Sequence, residues 1–112
     1  MIPTSRRIKY YLTLNGRAPF IEWLESLRDR QIQQIIDARL TRIQQGLFGH
    51  ARFVGFGVTE LKIDVGPGYR VYFGIDGLTI VILLTGGTKS SQEKDIEKAQ
   101  LYWHDYTRRT KK

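Results

Sequence analysis

The chain contains no cysteine, which excludes disulfides, thiolate nucleophiles and Cys-ligated zinc together. Its two histidines, His50 and His104, lie far apart in sequence, so no H-x-x-x-H metal motif exists and no metal is expected. Long apolar runs are missing too. The longest, Leu78 to Thr85, has the length of a strand and falls well short of the roughly 18–20 residues of a membrane-spanning helix. The opening Met-Ile-Pro-Thr-Ser-Arg-Arg-Ile-Lys lacks the apolar stretch of a secretory signal, which predicts a cytoplasmic protein with no membrane partner. Neither Gly66-Pro67-Gly68 nor Gly86-Gly87 carries a P-loop or dinucleotide fingerprint, so no cofactor is expected. Internal repeats and low-complexity segments are likewise missing.

What remains is an ordinary globular composition with a basic bias. The 112 residues, 41% apolar and 26% charged, fit one domain able to bury a real core. Eighteen Lys and Arg against eleven Asp and Glu give a formal charge of +7. The surplus sits in residues 1–50 and 88–112, while the middle of the chain is balanced. Such a surplus suits a polyanionic partner, because neutralised phosphates release their counterions. It is also what keeps many soluble proteins monodisperse.

Hydrophobic periodicity gives the order of elements. Ile8, Tyr10, Leu12 and Leu14 alternate with Arg7, Lys9, Tyr11 and Thr13, the two-residue period of a half-buried strand that Asn15-Gly16 ends. Pro19 opens a helix carrying Phe20, Trp23, Leu24 and Leu27 at helical spacing. A second helix carries Ile32, Ile35, Ile36, Leu40 and Ile43 and stops at Gly46. The short Leu27–Arg30 link predicts a helical hairpin. From Ala51 the period becomes that of strands: Arg52 to Phe56, then Leu61, Ile63 and Val65 opposite Glu60, Lys62 and Asp64, then Tyr69 to Ile75 after the Gly66-Pro67-Gly68 turn. Asp76-Gly77 is the dipeptide of a two-residue type I′ hairpin. Leu78 to Leu84 reads as a central strand covered on both faces, ended by Gly86-Gly87. Ser90-x-x-Glu93 predicts a capping box for a last helix with Ile96, Ala99, Trp103 and Tyr106 on one face. The expected fold is α+β, strand–helix–helix–four strands–helix. The helices gather on one face of a mostly antiparallel sheet, and the first strand pairs at an edge of the meander. One domain is expected over 1–107, followed by a basic tail over 108–112.

Two stretches stand out: Gly66-Pro67-Gly68-Tyr69-Arg70-Val71-Tyr72-Phe73 and Gly86-Gly87-x-Lys89-Ser90-Ser91-Gln92. With the element order, they make nearly the whole chain resemble the RelE/ParE superfamily of toxins from type II toxin–antitoxin systems. The branch it is most similar to is that of addiction-module killer proteins, related to HigB-type toxins. The resemblance implies a RelE-like fold, a cognate antitoxin of the helix-turn-helix kind, and operator DNA reached through the antitoxin complex. Many members cleave messenger RNA held in the ribosome, whereas ParE relatives inhibit DNA gyrase. A catalytically degenerate toxin that only binds its antitoxin is a third possibility within the superfamily. Fold alone does not choose among them.

Metal-free RNA cleavage needs a base for the ribose 2′-hydroxyl, cations on the phosphorane and an acid for the leaving oxygen. The resemblance assigns Arg70 to the scissile phosphate, a role its planar, permanently charged fork suits, and Lys89 and Lys62 to supporting cations. Asp95 stands where related RNases carry Tyr or His in the last helix. Its unperturbed pKa of ~4 makes it a poor acid at neutral pH. Tyr72 and Gln92 are candidate RNA contacts, as is His50, which leads into the sheet where HigB-type toxins carry a functional histidine. Glu60, Asp64, Asp95 and His50 are the candidates for proton transfer. Arg70 could instead pair with Glu60 or Asp64 across the hairpin, and Ser90 is read as a cap. An antitoxin is expected to cover or distort the Arg70–Lys89 face.

Overall fold

A computed structural model describes residues 5–110. The elements are β1 (Arg7–Tyr10), α1 (Pro19–Ser26), α2 (Arg30–Gln44), β2 (Ala51–Phe53), β3 (Thr59–Ile63), β4 (Tyr69–Asp76), β5 (Ile80–Thr88), a 3-10 turn (Lys89–Ser91) and α3 (Gln92–Thr110). They form an α+β fold on a five-stranded mixed sheet of order β1-β5-β4-β3-β2. β1 runs parallel to β5 at the edge of the meander, and the other neighbours are antiparallel. Among the described residues, no helix is long and apolar enough to cross a membrane.

The helices lie on both faces of the sheet rather than on one. Phe20 of α1 and Ile32, Ile36, Leu40 and Ile43 of α2 pack with Leu61, Val71, Phe73, Val81 and Leu83. Ala99 of α3 packs on the opposite side with Tyr11, Tyr72, Ile82 and Leu84. The cause is in β5, whose residues are apolar on both sides, so that each side needs its own cover. Asp29 caps α2, its Oδ1 accepting from Gln31 N at 2.8 Å. Gly46, at φ 84°, ends that helix as its pattern foretold.

Local expectations give way at several places. β1 stops at Tyr10, because Thr13 N and Arg17 O close a turn at 2.8 Å. Leu14 is left 79% exposed, while Tyr11, expected on the polar side, is buried. The β4–β5 connection spans three residues, 77–79, since Asp76 pairs with Ile80, and Leu78 lies in it rather than in the strand. β5 continues straight through Gly86-Gly87, which pair with Val71 and Arg70. There the two glycines permit close approach, because a Cβ would strike the Trp23 indole at Gly86 and the Asp95 carboxylate at Gly87. No Ser90–Glu93 box forms. Thr88 Oγ1 and Ser90 Oγ share a hydrogen bond at 3.0 Å, and Ser91 Oγ donates to Asp95 Oδ2 at 2.5 Å. At the chain's end α3 takes in Arg108, Arg109 and Thr110 of the expected tail, and residues 111 and 112 lie outside the described residues.

Candidate functional site

The β3–β4 register sets Lys62 opposite Arg70 and Glu60 opposite Tyr72. Directly opposed residues share a sheet face, so all four project toward the α3 side. β2 adds Arg52 opposite Glu60, and the first turn of α3 adds Gln92. Together with His50, just ahead of β2, Arg52, Glu60, Lys62, Arg70 and Gln92 line a cleft of about 540 Å³.

Its floor is Glu60, 2% exposed. Glu60 Oε1 accepts from Arg52 Nε at 3.0 Å. Its Oε2 accepts from Tyr72 Oη at 3.0 Å and from Gln92 Nε2 at 2.9 Å. Burial pushes the Glu60 carboxyl up, but the hydrogen bonds from Gln92, Arg52 and Tyr72, with the Arg52 charge, outweigh it and hold the group below the usual carboxylate range. Glu60 is therefore a fixed anion with its acceptor sites engaged, unsuited to carrying a proton in catalysis. Tyr72 is pushed the other way, by burial first and then by the charge and hydrogen bond of Glu60. Its ring is fully buried. The expected base contact from Tyr72 is corrected accordingly: its face is not open to a nucleotide, and its hydroxyl anchors Glu60.

Arg70 is held almost as deeply, with 6% of its side chain exposed. Its Nη1 donates to Gly68 O at 3.1 Å, and its Nε lies 3.8 Å from Glu60 Oε2, too long for a hydrogen bond. That buried Nε has no hydrogen-bond partner among the described residues. The cross-hairpin pairing weighed for Arg70 thus exists with Glu60, yet leaves donor capacity on a guanidinium that lines the cleft. Lys89 joins from the other side: its backbone N–H donates to the same Gly68 carbonyl at 3.0 Å. The Lys89 side chain is exposed beside the cleft, in a shallow depression that also includes Gln92.

The rim carries the titratable side chains. Asp64 sits between Lys62 Nζ, at 3.4 Å, and His50 Nδ1, at 3.7 Å. His50 is 76% exposed on its side chain. Lys62 N donates to His50 O at 2.9 Å, which ties the two segments together.

Asp95 does not line this cleft, although its charge acts on Tyr72 and Gly87, against which it packs, is the cross-strand partner of Arg70. It lies under Ser91 and Gly87, 8% exposed, on the wall of a separate cleft of about 480 Å³ between α1 and α3. The structure thus brings together Arg70, Lys62, His50 and Gln92, sets Lys89 beside them, buries Tyr72 beneath them and puts Asp95 on the wall of the neighbouring cleft. Arg52 is the lining residue that sequence reading missed. Only its cross-strand position opposite Glu60 marks it, and that depends on a register no local pattern reveals.

No family model matches the chain. It is similar to an uncharacterized protein of Haemophilus influenzae, 46% identical over 82 residues, which are 73% of this chain and 83% of that protein.

Proposed function

The chain belongs to one family with the Haemophilus influenzae protein, and we propose that it is the toxin of a type II toxin–antitoxin module, an endoribonuclease with a RelE-like fold that cuts messenger RNA without a metal. One observation carries this reading. Arg70, Lys62 and Arg52 line a single cleft with His50, while the buried carboxylate among them is already satisfied. Cations outnumber that carboxylate, so a phosphodiester entering the cleft gains charge complementarity.

The chemistry follows from the groups at hand. His50, whose Nδ1 side faces Asp64, is exposed at the mouth and in its neutral form accepts the ribose 2′-hydroxyl proton. The 2′-oxygen attacks phosphorus, and the guanidinium of Arg70 with the ammonium of Lys62 stabilises the charge on the phosphorane. The P–O5′ bond breaks, and the departing oxygen takes its proton from solvent at the open rim. The products are a 2′,3′-cyclic phosphate and a 5′-hydroxyl. Glu60 acts as a positioning residue, setting Arg70 and Gln92. A helix-turn-helix antitoxin, the ribosome as the site of action and operator DNA bound through the antitoxin complex belong to the same proposal.

Purified protein incubated with 5′-labelled messenger RNA, with and without ribosomes, tests it. Cyclic-phosphate termini that disappear with His50→Ala and Arg70→Lys are the expected result. Intact RNA under both conditions would overturn it, and growth arrest alongside would direct attention to gyrase.

A further inference from the structure

The second cleft, between α1 and α3, has a construction that the cleavage chemistry leaves unused. Its floor is the Gly86-Gly87 backbone of β5, and Trp23 of α1 and Tyr102 of α3 line its sides. Arg17 and Lys98 line it as well. Arg17 is engaged by Glu22 through a bidentate pair, Nε to Oε2 at 2.9 Å and Nη2 to Oε1 at 2.6 Å, whereas Lys98 has no ion pair among the described residues. Asp95 contributes the polar feature. More than nine-tenths buried, it spends Oδ2 on the Ser91 hydroxyl, while Oδ1 has no hydrogen-bond partner among the described residues. Asp95 lines the cleft, so this oxygen is open to a donor from a bound ligand, in a cavity with aromatic and basic walls.

The two clefts are neighbours along the chain. Gln92 lines the first and Ser91 the second, and both border the depression over the Lys89–Ser91 turn. A single strand threaded past Arg70 and across Lys89 reaches the second cleft next. We infer that this cleft, lined by Asp95, Trp23, Tyr102 and Lys98, is a subsite for a nucleotide flanking the cut and selects a base bearing an exocyclic amino group. The amine donates to Asp95 Oδ1, the base lies against the aromatic walls and Lys98 meets the adjoining phosphate. Adenine, cytosine and guanine satisfy this requirement. Uracil, which has no amino group, does not. The inference rests on the RNA-cleaving reading above and moves Asp95 from proton transfer to base selection.

Its test uses the full chain carrying His50→Ala, so that bound RNA stays intact. Cytidine and uridine hexanucleotides are titrated while tryptophan fluorescence is followed. The two bases differ at position 4, an amino donor in cytosine and a carbonyl acceptor in uracil, and at N3, which carries a proton in uracil alone. One hydrogen bond from the amine to a charged acceptor corresponds to about tenfold in affinity. The expected result is oligo(C) binding about tenfold tighter than oligo(U), with quenching lost in Trp23→Phe. Asp95→Asn should bring the two affinities together, and Lys98→Ala should weaken both equally. Since Asp95→Asn also loosens the Ser91 contact, a thermal melt alongside confirms that the variant is folded. Equal binding of the two oligonucleotides, or a preference that survives in folded Asp95→Asn, would overturn the subsite. Base-selective quenching by a protein that cuts no RNA would leave the subsite standing and refute the nuclease reading instead.

Discussion

Removing the carboxylate of Glu60 should be among the most damaging single changes available to this protein. Glu60→Ala leaves Arg70 as a deeply buried guanidinium beside no anion, with Nε already unpartnered, and strands the buried hydroxyl of Tyr72. Breaking a buried pair by deleting one partner costs about 3–5 kcal/mol. Arg52, whose side chain is mostly exposed, adds little to that figure. Against a total of roughly 5–15 kcal/mol, the loss amounts to a large fraction of the fold's stability. In a domain near 100 residues it lowers the melting temperature by about 15–30 °C. Urea unfolding followed by far-UV circular dichroism measures it. Acid should act on the same group. Because Glu60 is held below its ordinary pKa, its contribution is complete above the unfolded value of about 4.3 and is lost as pH falls through the lower folded value. Replacing both partners, Glu60→Gln with Arg70→Met, should recover much of the loss, since the amide oxygen still accepts from Tyr72 and Gln92 and no buried charge is left unpaired. A Glu60→Ala protein that melts within about 1 kcal/mol of the parent would refute the claim that Glu60 holds Arg70 in place.

Other consequences concern the packing of α3. Tyr11 donates to Asp105 at 2.6 Å and Tyr106 to Asp76 at 2.7 Å, and burial followed by these carboxylates pushes both phenols up to about 12. Spectrophotometric titration should show these two tyrosines ionising well after an ordinary one near pH 10. The stability they lend is complete below that value and fades as pH rises toward 12. Gly74→Ala should cost about 1–3 kcal/mol, because the added methyl meets the Trp103 indole seated against the sheet; thermal unfolding checks it. His50→Ala should abolish RNA cleavage while leaving the melting temperature within a degree or two, since an exposed side chain contributes little to folding.

The meander was the most legible part of the sequence. Strict alternation over Glu60 to Val65 and the Gly-Pro-Gly turn allow Lys62 and Arg70 to share a face where the two strands pair, and the register sets the two opposite one another. The all-apolar β5 foretold cover on both faces, yet the helices were expected on one. Which face a helix takes is set by connection geometry, and single-chain periodicity does not encode it. Gly86-Gly87 read as a stop because glycine usually punctuates a strand. Its purpose, admitting Trp23 and Asp95, exists only once three elements meet. Asp95 went astray for a related reason. The 3-10 turn over Lys89–Ser91 starts α3 late and sets Asp95 under Gly87, on the lining of the second cleft. Arg52 and the depth of Glu60 were hidden because both depend on pairing between strands.

The most direct test of RNA cleavage at the Arg70–His50 cleft is transcriptome-wide mapping of new RNA 5′ ends after brief induction in a bacterial host. Induction of His50→Ala, which keeps the fold, serves as the control. Codon-phased ends within translated messages, present with the parent protein and absent with the variant, are the predicted result. Growth arrest with no new ends, or ends undiminished in His50→Ala, would contradict it.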